Sequence, residues 1–466
     1  MSAPQLAFGT ETRQLRVPDV TAVELAQFVR LALRAPVSEP CISHLVMPLP
    51  KRFAATALLG ALRAVDAWYL QANGTELLGL GAVRKAEPTG ADRFEAARRA
   101  IEGWARELST VRHPALSDKT AGAPRAFVGF AFAAGAADRA MWAPFGDAVA
   151  VLPRFCLSQG TSGGLLELYV VRSPEVPLAL ETLLAELAEV LGAQTPPPSD
   201  AGTVTVDHEP PELHEQRVRA ALAEIEKGTL GKVVVARRTA IFADRDLDAT
   251  AALLHFLERA EEGAVYFVRR AGSVLLGVTP ERLLAVHDHA LETEALAGTA
   301  AIGQDALLRA SDKDREEHRF VIASIEDALL PLSEHVEVAS APEIATAGSV
   351  VHLKTKITAT LRPQIHPLQV AAALHPTSAV GGTPKAAASA WIARTEPERG
   401  WYGGPLGWVD AHGNGELFVA LRGGVIRGAC AWTFAGGGIV RGSLPATELE
   451  EAKLKMGGFL RALGAQ

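Results

Sequence analysis

The sequence is short of cysteine and of long apolar runs, and it has no surplus of positive charge. Each shortage removes a class of answer. The three cysteines, Cys41, Cys156 and Cys430, are far apart and odd in number, which argues against a disulfide framework or a metal knuckle and points to buried free thiols. No stretch of ~18 uninterrupted apolar residues occurs, so no membrane-spanning helix is expected. The opening residues lack a basic region followed by an apolar segment of leader length, and a cytoplasmic location is expected. With 46 Lys and Arg against 53 Asp and Glu, the net charge of −7 offers no electrostatic footprint for nucleic acid or an anionic membrane. A site for an anion would have to be locally positive.

What is present is ample core material: 48% of the 466 residues are apolar and 21% charged, the profile of an ordinary globular chain. Length alone would suggest domains of ~150 residues, but the one composition break, Gln194-Thr-Pro-Pro-Pro-Ser-Asp200, divides the chain unequally into 1–200 and 201–466. Before the break, helical periodicity at 23–34 and 94–108 alternates with apolar runs at 126–133 and 148–152. After it come an amphipathic stretch at 213–227, the β-branched run from Lys232 to Ala236, strand-like runs with Gly-rich turns, and helical patterns at 314–330 and 448–463. The fold class read from this pattern is α+β.

Several positions carry chemistry. Glu448, Glu451 and Lys455 fall within about 60° of one another around a helix axis, beside an apolar stripe of Leu449, Ala452, Met456, Leu460 and Leu463. They border a buried surface or form an ordinary solvated edge with a Glu451 to Lys455 pair. Glu317 shares a helix side with Phe320, Val321 and Ala328, where a carboxylate is costly unless paired, with Lys313 one turn earlier, or metal-bound. Carboxylates from two helices suit a hard, oxygen-preferring ion such as Mg²⁺ better than zinc. Lys232 opens a strand with the small apolar residues Val234 and Ala236 on its face. A partly buried amine there suits a general base, and an exposed one would be an edge device against aggregation. Glu281 follows a proline after an apolar strand and faces either a cleft or water. The bare amides of Gly436, Gly437 and Gly438 could hold a carboxylate or form a tight turn.

Taken in order, these segments resemble the chorismate-utilising family of anthranilate, aminodeoxychorismate, salicylate and isochorismate synthases. The resemblance runs from about Leu213 to Leu463 and is carried by Lys232-Val-Val-Val-Ala-Arg237, Thr279-Pro-Glu281, Leu296-Ala-Gly-Thr299, Lys313 with Glu317-His318, and His352-Leu-Lys-Thr355. Leu374-His-Pro-Thr-Ser-Ala-Val-Gly-Gly-Thr-Pro384, Arg399-Gly-Trp-Tyr-Gly403, Ala420-Leu-Arg422, Gly436-Gly-Gly-Ile-Val440 and Glu448 to Lys455 continue it. It implies one large fold of two β-sheets packed face to face with surrounding helices, into which residues 1–200 are woven and in which 201–466 form the chorismate-binding catalytic region.

The resemblance also implies a branch. Ammonia-using members place glutamine where this chain has Lys232, and aminodeoxychorismate synthases use a lysine nucleophile where it has Ala297. A water-using enzyme is expected, one that makes isochorismate. The alternatives are a salicylate synthase, which goes on to eliminate pyruvate, and a non-catalytic chorismate-binding regulator. By the same resemblance, Lys232 activates water for attack at C2 and Glu281 protonates the departing C4 hydroxyl. Mg²⁺ is held by Glu317, Glu448 and Glu451, while Tyr402, Arg422, Lys455 and the amides of Gly436, Gly437 and Gly438 bind the substrate. Thr299 and His352 line the ring. Chorismate is the expected partner, without nucleic acid, membrane or glutaminase subunit. Ser378, Ala359, Gly437 and Ala452 depart from the usual pattern without removing a carboxylate or lysine.

Overall fold

The structure is a computed structural model that describes residues 20–465, apart from 117–121, 136–140, 162, 197–201, 260–262, 348–349, 397 and 411. Most of the proline-rich break at 194–200 therefore lies outside the described residues, as do residues 1–19. Among the described residues the strands form two sheets, of thirteen and ten strands.

Alternation builds the layers. In strand Ala67–Ala72, Trp68 and Leu70 point to one side and Ala67 and Tyr69 to the other, and all four are buried. Trp68, Tyr266, Leu275 and Val425 of the first sheet meet Phe127, Val149, Leu406 and Phe418 of the second in a shared core. Helices Ala22–Ala32, Leu180–Gly192 and Ala249–Arg259 cover the outer face of the first sheet, and Arg93–Glu107, Asp312–Leu329 and Pro367–Leu374 cover that of the second. Fully burying each Phe, Leu or Val contributes about 1.5–3 kcal/mol, which the two sheets collect on both faces. The result is α+β, with two sheets face to face and helices around them.

In each sheet the strands from before residue 200 form one block and those from after it another, joined edge to edge at a single seam. Ala67–Ala72 pairs with Ala264–Arg270, and Arg125–Phe130 pairs with Pro405–Asp410. The elements read from periodicity are present with ends shifted by one to three residues, for example Ala22–Ala32, Pro211–Glu226, Asp312–Leu329 and Pro445–Ala462. The first of these starts at Thr21, whose hydroxyl accepts from the Glu24 amide while the Glu24 carboxylate accepts from the Thr21 amide. In the last helix Phe459 is buried and Leu460 only partly so, a small rotation of the expected stripe. Of the cysteines only Cys156 is buried, because Cys41 and Cys430 stand at strand starts where cover is incomplete.

Candidate active site

Strand Lys232–Ala243 supplies the first element of the site. Lys232 is completely buried, since Cys430–Ile439 pairs along one edge of its strand and Gly382–Thr383 along the other. The edge-device reading therefore fails: Lys232 is on a covered, interior strand. Its Nζ lies 3.0 Å from Glu317 Oε1, and among the described residues it makes no hydrogen bond. Lys232, Val234 and Ala236 share a sheet face with Gly438 and Gly436, their neighbours across the ladder. A Cβ at Gly438 would lie 2.0 Å from Glu317 Oε1 and 2.7 Å from Lys232 Cε, so only glycine leaves room for this pair.

Register also decides which amides are free. The amides of Val234 and Ala236 turn away from Cys430–Ile439, donating to Gly381 O and to Glu396 Oε1, both at 2.8 Å. The facing Gly438 and Gly436 are therefore non-hydrogen-bonded partners whose amides point to the opposite edge, while Gly437, opposite Val235, spends its amide in the ladder. Gly437 also presents the other face, where a Cβ would lie 2.6 Å from Glu448 Oε2. Of the three glycines expected to hold substrate, two have amides left open among the described residues and one does not.

Above this strand is a cleft of about 660 Å³, open to solvent and lined by Glu281, Thr299, Glu317, His352, Arg399, Tyr402, Arg422, Gly436, Gly438 and Lys455 among others. Glu281 is buried, not turned to water, and accepts from the Thr377 hydroxyl at 3.4 Å. Burial pushes its carboxyl up to about 7, against the opposing pull of Lys232. Such a group carries a proton near neutrality.

Strand Ala290–Ala301 shifts register between Ala297 and Ala300, and Gly298 takes the left-handed φ of +73° that this bulge requires. The bulge brings Thr299 to the cleft, with Oγ1 3.2 Å from His352 Nδ1. His352 Nδ1 donates to Gly298 O at 2.8 Å, and its Nε2 accepts from Arg422 at 2.8 Å, so the imidazole is neutral. Burial, then the Arg422 charge, lowers it to about 3. Arg422 itself sits at φ +49°, an uncommon conformation for a residue with a side chain. Tyr402 stacks on Phe434 at 5.3 Å, and burial raises its hydroxyl to about 12, which keeps it a donor.

Each of the three expected metal carboxylates has a lysine. Glu317 faces Lys232, Glu448 accepts from Lys313 at 2.7 Å, and Glu451 accepts from Lys455 at 2.5 Å. Glu317 thus does not pair with Lys313 on its own helix; Lys313 reaches across to Glu448 instead. Lys455 also donates to Gly436 O at 3.0 Å. Among the described residues no group of three or more His, Cys, Asp or Glu stands at metal-binding spacing. In donor chemistry the set nevertheless fits a hard cation. Glu448 Oε2 is buried without a hydrogen-bond partner, and burial together with the Glu451 charge raises the Glu448 carboxyl. Burial also works against Glu451, but Lys455 outweighs it and holds that carboxyl low.

Sequence reasoning offered Lys313 only as a partner for Glu317 and gave no role to Thr377, Glu396 or Arg399. The last two form an ion pair with side chains 1% and 2% exposed, and Arg399 lines the cleft. The presence of Arg399 in the Arg399-to-Gly403 motif was the only available signal, and Glu396 lies outside that motif.

Two packed β-sheets with a cleft lined by Glu281, Glu317 and Lys455, and with Lys232 and Glu451 paired to two of those lining residues, have the make-up of an α+β enzyme. Over residues 42–464 the chain matches the family described as chorismate binding enzyme, and it belongs to that family. It is 34% identical over 357 residues to the salicylate biosynthesis isochorismate synthase of Pseudomonas aeruginosa, covering 74% of this chain and 75% of that protein. To isochorismate synthase MenF of Bacillus subtilis it is 29% identical, covering 84% and 86%. Among solved structures, MenF, the menaquinone-specific isochorismate synthase from Escherichia coli, superposes with a TM-score of 0.76 at 26% identity, covering 95% of this chain and all of that one.

Proposed function

We infer that the protein is an isochorismate synthase, converting chorismate to isochorismate with Lys232 as general base and Glu281 as general acid. The observation that carries this reading is a carboxyl at about 7 on the cleft, with the buried amine of Lys232 pulling against it from beside Glu317 of the cleft lining, and with Ala297 leaving no lysine nucleophile beside Thr299. Lys232, as the free amine, takes a proton from water as its oxygen attacks C2, the ring double bond shifts, and Glu281 gives a proton to the C4 hydroxyl as it departs. One water enters and one leaves, so the reaction is an isomerisation.

Arg422, Tyr402 and the open amides of Gly436 and Gly438 bind the carboxylate of the pyruvyl end, and Thr299 and His352 border the ring. Lys455 sets the Gly436 edge and the charge of Glu451. Glu317, Glu451 and Glu448 would hold Mg²⁺, which supplies positive charge between the acidic cluster and the ring carboxylate. Residues 1–200 and 201–466 act as one folding unit in this reading.

The test is a product assay with the purified chain, chorismate and Mg²⁺. Isochorismate is expected as the product, with no anthranilate when ammonium is added. Anthranilate as the main product would overturn the assignment, and salicylate would show that pyruvate elimination follows in the same cleft.

A further inference from the structure

The buried Glu396 and Arg399 pair takes no part in the chemistry assigned above, yet it bonds both to the strand of Lys232 and to the turn that meets Glu281. Arg399 Nε donates to Glu396 Oε2 at 2.8 Å and Nη2 to Glu396 Oε1 at 3.0 Å. Nη1 donates to Val380 O at 2.7 Å, and Nη2 also to Val234 O at 2.9 Å. Glu396 Oε1 in turn accepts the Ala236 amide at 2.8 Å. Desolvation offsets most of the attraction within a buried ion pair, so stability alone is a weak account of this one. Its partners are more informative than its charge. Val234 and Ala236 lie two and four residues beyond Lys232, on the same strand face. The amides of Val380 and Gly381 return to Thr377 O at 3.2 and 2.8 Å, and the Thr377 hydroxyl donates to Glu281.

A continuous bonded path thus runs from the strand of Lys232, through Arg399 and the 377–381 turn, to Glu281. We propose that Arg399, held by Glu396, is a positioning residue that sets Glu281 against Lys232; this rests on the reaction proposed above. The guanidinium lines the cleft but is committed to protein acceptors, with its flat face 4.4 Å from the Phe132 ring centre, so it does not act as the clamp for a substrate carboxylate. A planar fork that reaches four acceptor atoms in fixed directions cannot be replaced by the point charge of lysine. A misplacement of about 1 Å between acid and base costs on the order of 10² in rate.

The experiment measures kcat, KM for chorismate and Tm with Mg²⁺ present, for Arg399→Lys, Thr377→Val and the double variant. Arg399→Lys is expected to lower kcat about 10- to 100-fold with KM within about threefold of the unaltered protein. Because both changes act on one path, the double variant should fall no further than the worse single. A lowered Tm with unchanged kcat would leave Arg399 a purely structural residue. A raised KM with normal kcat would make it a substrate ligand, and additive losses would break the route through Thr377; each of these overturns the proposal. Should Arg399→Lys not fold, Glu396→Gln, which keeps an oxygen for the Ala236 amide, is read by the same split of kcat against KM. Failure of the unaltered protein to make isochorismate strikes the underlying reaction, whereas an active protein indifferent to these changes strikes Arg399 alone.

Discussion

Lys232 and Glu317 meet 3.0 Å apart in the interior, one from the start of a strand and one from the middle of a helix, and Gly438 is the residue that lets them do so. Removing either partner strands a charge, so stability and catalysis must be separated experimentally. Lys232→Met is expected to lose 10²–10⁴ in turnover and also to lower Tm, since Glu317 is left unpaired. Lys232→Met with Glu317→Gln should recover much of the Tm and none of the turnover. Recovered turnover in the double variant would remove Lys232 from the chemistry.

Space at the ladder is equally specific. Gly438→Ala should reduce turnover by on the order of 10² or more, because its Cβ displaces Glu317 and Lys232 together. Gly458→Ala, in helix Pro445–Ala462 with nothing within 4 Å of the added carbon, should raise stability by about 0.5–1 kcal/mol. Thermal unfolding and turnover of the two variants check both statements.

Glu281 makes a prediction about pH. Its folded-state value of about 7 lies above the ordinary 4.5, so the fold holds this proton more tightly than the unfolded chain does. The stability it contributes is complete below pH 4.5 and is lost as pH rises through 7. Glu281→Gln should therefore flatten the decline in stability between those values, measured by denaturant unfolding of the metal-free protein. The carboxylic acid band of Glu281 should disappear from the infrared spectrum over the same range as the pH rises, and Glu281→Gln should lack it.

The acidic cluster predicts cation dependence. Turnover should vanish in EDTA and return with Mg²⁺, and Glu317→Gln or Glu451→Gln should abolish it at ordinary Mg²⁺. Calorimetric titration with Mg²⁺ alone should show weakened binding in both variants. Full activity in EDTA would overturn the metal assignment.

Because both sheets run unbroken across a seam between strands from before and after residue 200, and the two sheets share one core, unfolding is expected as a single calorimetric transition. Two resolved transitions would show that 1–200 and 201–466 fold separately.

Period and spacing in the sequence were enough to place the helices that carry Glu317 and Glu448, because a 3.6-residue apolar stripe survives whatever it packs against. They also placed Lys232 at the head of a strand and put the carboxylates beside buried surfaces. What they left open was partnership. Glu317 could take Lys313 one turn away or something distant, and Gly436, Gly437 and Gly438 were equivalent as a string of amides. Tertiary structure decided both: Lys313 crosses to another helix, Lys232 takes Glu317, and the pairing register commits the Gly437 amide while freeing its neighbours. The Glu396 and Arg399 brace was invisible for the same reason, since its backbone partners belong to segments distant in sequence. Local pattern determines which face of an element is buried; which charge meets which, and which amide stays open, depends on contacts between segments that only the folded chain brings together.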